Sequence, residues 1–359
     1  MKIALVHEML TKLGGAERVL KVFSDMFPNS PIFTLVCNNK KIKDWFGNKK
    51  IVTSSLQSSY KRWGMLKFLL PKMSKAIEEF DFSDYDVVIS SSSAFAHGIK
   101  TGKNTKHVCY CHSPMRYAWD YTHEYTKNYS PLKRFVVSNI LKKIRQWDYR
   151  SSDRADLIIA NSKHVQKRIK KYWGKSSDVI YPPVDTKKFN ANPNHEDYFL
   201  IVSALTPFKK IDLAIHTFNK IKRKLIIIGD GSQRKYLESI ANNNIEFLGF
   251  KNDDVVKDYM ENCRVLIFPG EEDFGITPVE AMAAGKPVLA YGVGGVTETV
   301  QAGKSGEFFY EQTPHSLADG LARLLANENH YDYREIRKIA EGFDKEVFEK
   351  NILEILKKI

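Results

Sequence analysis

RVLIFPGEEDFGITPVEAMAAGKPVLA, residues 264–290, reads as a strand, a loop, a helix and the start of a second strand. Val265-Leu266-Ile267-Phe268 is an apolar run of the length of a buried strand. A loop with three acids and Gly275 follows. Thr277-Pro278-Val279-Glu280 then has the form of an N-cap, a proline at the first helical position and a capping-box glutamate. Pro287-Val288-Leu289-Ala290 resumes an extended pattern. The amides of Gly275, Ile276 and Thr277 are thereby expected at a helix start, at the carboxyl end of a parallel strand. In folds of this kind that is where ligands bind, here on an interdomain cleft. The plain alternatives are a Glu280 that only caps its helix and a Glu272 that is a solvated loop acid.

The same alternation extends in both directions. Ile- and Val-rich runs at 2–7, 31–36, 86–90, 106–111 and 156–160 occupy the first half, and runs at 198–202, 223–228, 245–248, 264–268 and 287–290 the second. Each is followed by a longer amphipathic segment, as parallel strands with crossover helices require. Between the two sets, YPPVDTKKFNANPNHED at 181–197 has three prolines and no periodicity, and reads as a linker. The fold class expected is α/β, with two doubly wound, Rossmann-like domains at residues 1–182 and 183–342. A helix pattern at 345–358 closes the chain; it can pack on either domain, and segment 343–359 is assigned as a completion of the first.

Composition narrows the function. The chain has 359 residues, 43% of them hydrophobic and 27% charged, which excludes a disordered or collagenous protein. No apolar run approaches a membrane span, and KIALVHEML at 2–10 carries His7 and Glu8 and lacks a cleavage site, so it is not read as a secretory signal. Four cysteines make no disulfide framework and fit a reducing compartment, so a cytoplasmic location is expected. Lys and Arg number 55 against 42 Asp and Glu, a formal charge of +13, which calls for an anionic partner. Residues 38–75 hold ten basic side chains against Asp44 alone, and PLKRFVVSNILKKIRQW at 131–147 adds five with no acid. Both mix cations with Trp, Phe and Leu, as segments that dock on an anionic membrane do; two ordinary helices with solvated basic faces are the alternative. No nucleic-acid motif accompanies the charge, so nucleic acid is not an expected partner.

Two further segments invite chemistry. In HEMLTKLGGAER, residues 7–18, Gly14 and Gly15 lie between the first strand and a helix, where free amides and the helix dipole attract anions. The pattern is neither G-x-G-x-x-G nor a Walker loop, and a tight turn would need the glycines equally. His107, Cys109, Cys111 and His112 superficially resemble a metal cluster, but strand alternation puts 107, 109 and 111 on one face and 112 on the other. No metal site is assigned.

Glu272, seven residues and Glu280, inside EDFGITPVEAMAAGKPV, resemble the signature of glycosyltransferase family 4, retaining enzymes of the GT-B fold. The agreement extends in register over nearly the whole chain, through GGAER at 14–18, YCHSPMRYAWD at 110–120, ANSKHV at 160–165, YPPVD at 181–185, LTPFKKID at 205–212, IIGDG at 227–231 and IEFLGF at 245–250. HSPMRYAWD and PFKKID further resemble the bacterial O-antigen mannosyltransferases, which implies GDP-mannose as the favoured donor and a surface glycan as product.

The resemblance implies a role for each residue. Lys209 would face the departing diphosphate, whose growing negative charge needs fixed positive potential, with Gly14, Gly15 and the amides after Phe274, at Gly275, Ile276 and Thr277, completing a metal-free cradle. Glu272 would bind the donor sugar and Glu280 the ribose, since a carboxylate accepts two bonds from a vicinal diol. Backbone at Leu248 and Gly249 would hold the base, and His112 would approach the donor sugar. Arg116, Tyr117 and Trp119 are assigned to the acceptor side, with core packing an equal fate for the two aromatics. Family members usually carry an Arg five residues before the lysine, where this chain has Ala204; the second cation is left unassigned, with Lys210 or a residue of the first domain as the substitute. No cofactor is expected beyond the nucleotide-sugar substrate, and the expected acceptor is a glycan or polyprenyl-diphosphate-linked sugar at the inner face of the cytoplasmic membrane. The competing readings are a UDP-sugar-dependent transferase, a nucleotide-sugar epimerase and a non-catalytic homologue that only binds.

Overall fold

Short β-branched and leucine runs, the central ones buried on both faces, form two all-parallel sheets. The computed structural model describes residues 1–64, 69–120, 122, 126 and 129–359, the side chains of Lys41 and Trp63 excepted. The chain divides into two compact units, Met1–Tyr181 with Asn351–Ile359, and Pro182–Lys350.

In the first unit the strands are β1 (Ile3–Leu10), β2 (Ile32–Cys37), β3 (Ile51–Thr53), β4 (Val87–Ser92), β5 (Lys106–Cys111), β6 (Leu157–Ala160) and β7 (Asp178–Val179), in the order β3-β2-β1-β4-β5-β6-β7. The register sets Leu5 beside Ile32 on one side and Ile89 on the other. Strand order reverses between β1 and β4, so the crevice of this sheet opens at their carboxyl ends. Ala4, Val6, Phe33, Val88 and Phe95 build the core on one face with Leu141 and Ile144 of the helix Pro131–Ser151. Cys109, Cys111, Ile158, Val165 and Trp173 continue the same face toward β6, and on the opposite face Tyr110 meets Phe23 of the helix Gly15–Met26.

The second unit contains β8 (Phe199–Val202), β9 (Leu225–Ile228), β10 (Ile245–Gly249), β11 (Val265–Phe268), β12 (Val288–Tyr291) and β13 (Gly306–Phe309), ordered β10-β9-β8-β11-β12-β13. Its switch point lies between β8 and β11. Phe199, Ile201, Phe218, Ile227 and Ile267 are fully buried in its core, each stabilising the unit by about 1.5–3 kcal/mol relative to an exposed side chain.

The structure differs from the sequence expectation in four places. That expectation passes over β3, β7 and β13, strands of two to four residues at or beside sheet edges whose apolar patterns are too short to stand out. Residues 182–197 are no loose linker: Val184 bridges to Asp344, Phe189 is buried, and the Asn192 side chain donates to the Glu261 carbonyl at 3.1 Å. Helix Ile276–Ala283 is capped by Gly275 at φ +91° with no side-chain cap, so Thr277 and Pro278 stand inside its first turn. Finally, residues 38–75 are not one amphipathic helix but the helices Asn39–Phe46, Leu56–Trp63 and Leu70–Ile77 with β3 between the first two; residues 65–68, Lys67 among them, lie outside the described residues.

Candidate active site

The loops leaving the carboxyl ends of β8 and β11 carry the two strongest candidates. A 3₁₀ turn, Pro207–Lys209, brings Lys209 over the strand ends, and its Nζ donates to Glu272 Oε1. Both side chains are mostly covered, at 18% and 24% exposure. They line one narrow cavity with Val202, Ser203, Gly270 and Thr277. Glycines permit this approach. A Cβ on Gly270 would stand 2.9 Å from Lys209 Cα. One on Gly294 would stand 2.4 Å from the Glu272 carbonyl oxygen, and one on Gly295 2.3 Å from that of Asp273. The Gly295 amide donates to the Glu272 carbonyl at 2.8 Å. The backbone of Glu272 is thus clamped by the loop that follows β12.

Immediately beyond, Phe274 is buried against Phe343, with ring centroids 5.8 Å apart. The first-turn amides Gly275, Ile276 and Thr277 have no intrahelical acceptor, by the geometry of any helix start, and Pro278 has no N–H to add. They make a positive helix end beside Glu272. Glu280 is half-buried one turn further on. Lys210 takes the left-handed conformation, φ +53°, at the start of helix Ile211–Ile221. Ala204 is exposed, so its position supplies no cation. Leu248 and Gly249 end β10; Gly249 has φ +70°, accepts from the Gly229 amide at 2.9 Å and lies against the Arg234 guanidinium, which the acids Asp230 and Glu238 hold at 3.3 and 2.8 Å.

The first unit has its own polar cluster at the β1/β4 switch point. His112, just past β5, is buried, and its Nε2 lies 2.8 Å from Ser91 Oγ. Ser91 Oγ is in turn 3.2 Å from His7 Nδ1, and His7 Nε2 is 3.6 Å from Glu17 Oε1. Burial, and then the charge of His7, push His112 down to about 3, so it is neutral. Burial pulls His7 the same way, but the Glu17 and Glu8 carboxylates outweigh it and raise it above the usual histidine value. Glu8 Oε1 accepts the amides of Ser93 and Ala94 at 2.6 and 2.7 Å. Gly14 caps helix Gly15–Met26, and a Cβ there would stand 3.0 Å from Glu17 Oε2. The helix end expected to hold phosphate is therefore faced by a carboxylate of its own first turn.

Arg116, Tyr117 and Trp119 share the helix Arg116–Trp119. Tyr117 packs on the core. Trp119 stacks on Tyr172 at 4.9 Å and donates its Nε1–H to buried Asp148 at 2.7 Å. His107 Nε2 lies 2.8 Å from Ser90 Oγ, while Cys109 and Cys111 sit among apolar side chains. Among the described residues no group of three or more His, Cys, Asp or Glu could hold a metal ion.

In the second unit, then, Lys209, Glu272 and the 275–277 amides come together. In the first, His112 joins His7, Ser91 and Glu17, none of which the sequence singled out as a partner. Gly270, Gly294 and Gly295 were likewise missed, although Gly294-Gly295 is visible in the string.

Comparison with known proteins places both units. Residues 13–188 match the model described as Glycosyltransferase Family 4, and residues 184–341 that described as Glycosyl transferases group 1. An uncharacterised glycosyltransferase of Methanocaldococcus jannaschii is 28% identical over 316 residues, 80% of this chain and 76% of that one. The α-1,3/1,6-mannosyltransferase ALG2 of Dictyostelium discoideum is 25% identical over 335 residues, covering 78% and 77%. A GDP-mannose-dependent α-(1-6)-phosphatidylinositol monomannoside mannosyltransferase of Mycobacterium tuberculosis is 25% identical over 240 residues, covering 58% and 60%. The crystal structure of Anabaena HepE in complex with UDP superimposes with a TM-score of 0.76 over the full length of both chains at 19% identity. With both units matched in order and the two parallel sheets in place, the chain belongs to glycosyltransferase family 4, enzymes of the GT-B fold that draw on nucleotide-sugar donors.

Proposed function

We propose that this enzyme transfers a hexose with retention from a nucleotide sugar, GDP-mannose before any UDP-sugar, to a glycan or polyprenyl-diphosphate-linked acceptor of a surface polysaccharide. The observation that carries the reading is Lys209 paired with Glu272 beside the 275–277 amides, at the switch point of the second sheet. The bond from the anomeric carbon to the diphosphate breaks as that from the acceptor oxygen forms on the same face. The acceptor proton passes to the leaving phosphate. Lys209 and the helix-start amides meet the charge that develops there, a contribution that grows toward the transition state. Glu272 receives sugar hydroxyls, so the donor takes the place of each partner in the pair. The mannosyltransferases among the relatives support mannose as the sugar.

Lys209→Ala and Glu272→Ala are each expected to slow donor-only hydrolysis at least a hundredfold, about 2.7 kcal/mol, while melting within a few degrees of the parent. Unfolded variants or unchanged rates would reject the assignment. A thermal-shift panel of GDP-mannose, UDP-glucose, UDP-N-acetylglucosamine and UDP-galactose tests the donor, because a ligand of the native state raises Tm. Selective stabilisation by a UDP-sugar would replace GDP-mannose.

The acceptor reading includes docking on an anionic membrane at the cytoplasmic face. Helix Pro131–Ser151 supports it: Leu132 and Phe135 are 76% and 68% exposed beside exposed Lys133 and Arg134, and Lys142 and Lys143 are exposed further along. No helix among the described residues is long and apolar enough to cross a membrane.

A further inference from the structure

The hydrogen bonds of the first unit fix where the protons lie. His7 Nδ1 is 3.1 Å from the Ser91 carbonyl oxygen as well as 3.2 Å from Ser91 Oγ. A carbonyl can only accept, so His7 Nδ1 carries a hydrogen, which it shares between the two oxygens of Ser91. Ser91 Oγ thus accepts from His7, and its one hydrogen points at its remaining neighbour, His112 Nε2, 2.8 Å away. That nitrogen must be the acceptor. A neutral His112 then bears its proton on Nδ1, the ring edge for which no protein hydrogen bond is found among the described residues. We infer that Ser91, oriented by His7 and Glu17, is a positioning residue that locks His112 into its Nδ1–H form, so that His112 meets its substrate as a hydrogen-bond donor and not as a general base.

The groups around His7 agree with this direction. Glu17 from helix Gly15–Met26 faces Nε2 at 3.6 Å, Glu8 from the same strand faces Nδ1 at 3.9 Å, and Lys12 lies near Glu17. Two carboxylates around one imidazole favour its doubly protonated form. A positive His7 discourages a second positive charge on His112, which would have to ionise to take a proton at all. Its Nε2 lone pair is already occupied by the Ser91 hydroxyl. A hydroxyl of the sugar donor or of the acceptor is the chemistry such an outward N–H recognises.

The catalytic half of this inference rests on the glycosyl-transfer reading, whereas the tautomer does not, and the experiment separates them. Long-range ¹H–¹⁵N correlation spectra of ¹⁵N-histidine-labelled protein, assigned by loss of the signal in His112→Gln, should show His112 neutral with its proton on Nδ1 from pH 6 to 8. Ser91→Ala should release that form and lower kcat for donor hydrolysis ten- to a hundredfold, and Ser91→Thr, which restores a hydroxyl, should recover both. An Nε2–H tautomer in the parent overturns the inference. So does a Ser91→Ala enzyme whose tautomer changes while kcat does not, or a Ser91→Thr enzyme that recovers neither. If instead Lys209→Ala leaves hydrolysis intact while the tautomer is as stated, the transfer reading fails and the tautomer assignment stands.

Discussion

Gly294→Ala moves Glu272 without touching its side chain. Gly294 has φ +91° and ψ −162°, a region held almost only by glycine, so an alanine there costs about 1–3 kcal/mol in backbone strain. Its Cβ would also stand 2.4 Å from the Glu272 carbonyl oxygen, against an ordinary contact of 3.4 Å or more. One of the two backbones must yield by about 1 Å. A displacement of that size in a positioned group lowers a rate by roughly 10², about 2.7 kcal/mol of barrier. The strain alone should lower Tm by roughly 2–4 °C per kcal/mol.

The control is Gly303→Ala in the same unit. Gly303 shares the positive φ, +74°, but nothing lies within 4 Å of an added Cβ. It should melt lower than the parent and hydrolyse the donor at the parental rate. Release of nucleoside diphosphate is to be measured well below the Tm of each variant, so that the folded fraction does not enter. A Gly294→Ala enzyme within about threefold of the parent would refute the claim that the 294–295 loop sets the position of Glu272. Equal losses in both variants would refute it too, since strain would then account for the effect.

Other expectations follow from buried groups and surfaces. His107 is neutral, because burial pushes it down to about 4 against the opposing pull of the Arg154 carbonyl that its Nδ1 faces. Unfolded chain binds that proton below about 6.5 and native chain does not, so stability is complete above 6.5 and falls as pH drops toward 4. His107→Gln should flatten this part of the acid limb of Tm against pH, and an unchanged limb would contradict it. Trp119→Phe removes a hydrogen bond to Asp148, leaving the Trp173 indole at 2.7 Å as a remaining donor. It should cost about 1–3 kcal/mol with acceptor KM unchanged, and a raised KM would return Trp119 to the acceptor side. Lys61→Glu with Arg62→Glu, or Lys133→Glu with Arg134→Glu, should weaken sedimentation with anionic vesicles at low salt and leave donor hydrolysis alone, each cation near such a surface contributing about 1 kcal/mol. Equal binding by parent and variants would assign this surface to another partner.

What was legible in the string is what local sequence determines. All but the short edge strands β3, β7 and β13 announce themselves as apolar runs, and Glu272 with Glu280 sits in one unbroken motif. The start of helix Ile276–Ala283 misled because a Thr-Pro-x-Glu string resembles a capping box, while Gly275, free to take φ +91°, turns the chain into the helix two residues sooner. The glycines at 270, 294 and 295 were unreadable for a different reason. What each one makes room for lies 20 or more residues away, and only the folded backbone names it. The same holds for His7 and Ser91, 84 residues apart.

The pairing of Lys209 with Glu272, 63 residues apart, also escapes the sequence, and it changes how both residues should behave. Read separately, each is a charge awaiting its own part of the donor. Paired, each neutralises the other in a half-covered site until donor arrives. Removing one leaves its partner uncompensated, and removing both does not. Double-mutant analysis of Lys209→Met and Glu272→Gln should therefore show the two stability losses to be less than additive. The coupling should be small, on the order of 0.5–1 kcal/mol, since both groups keep some contact with water and screening weakens the pair. Activity should behave differently, because diphosphate and sugar hydroxyls are separate ligands and the double variant regains neither. A double variant that recovers stability but not turnover separates the two roles of the pair. One in which the stability losses simply add would show that the ion pair contributes nothing to the empty enzyme.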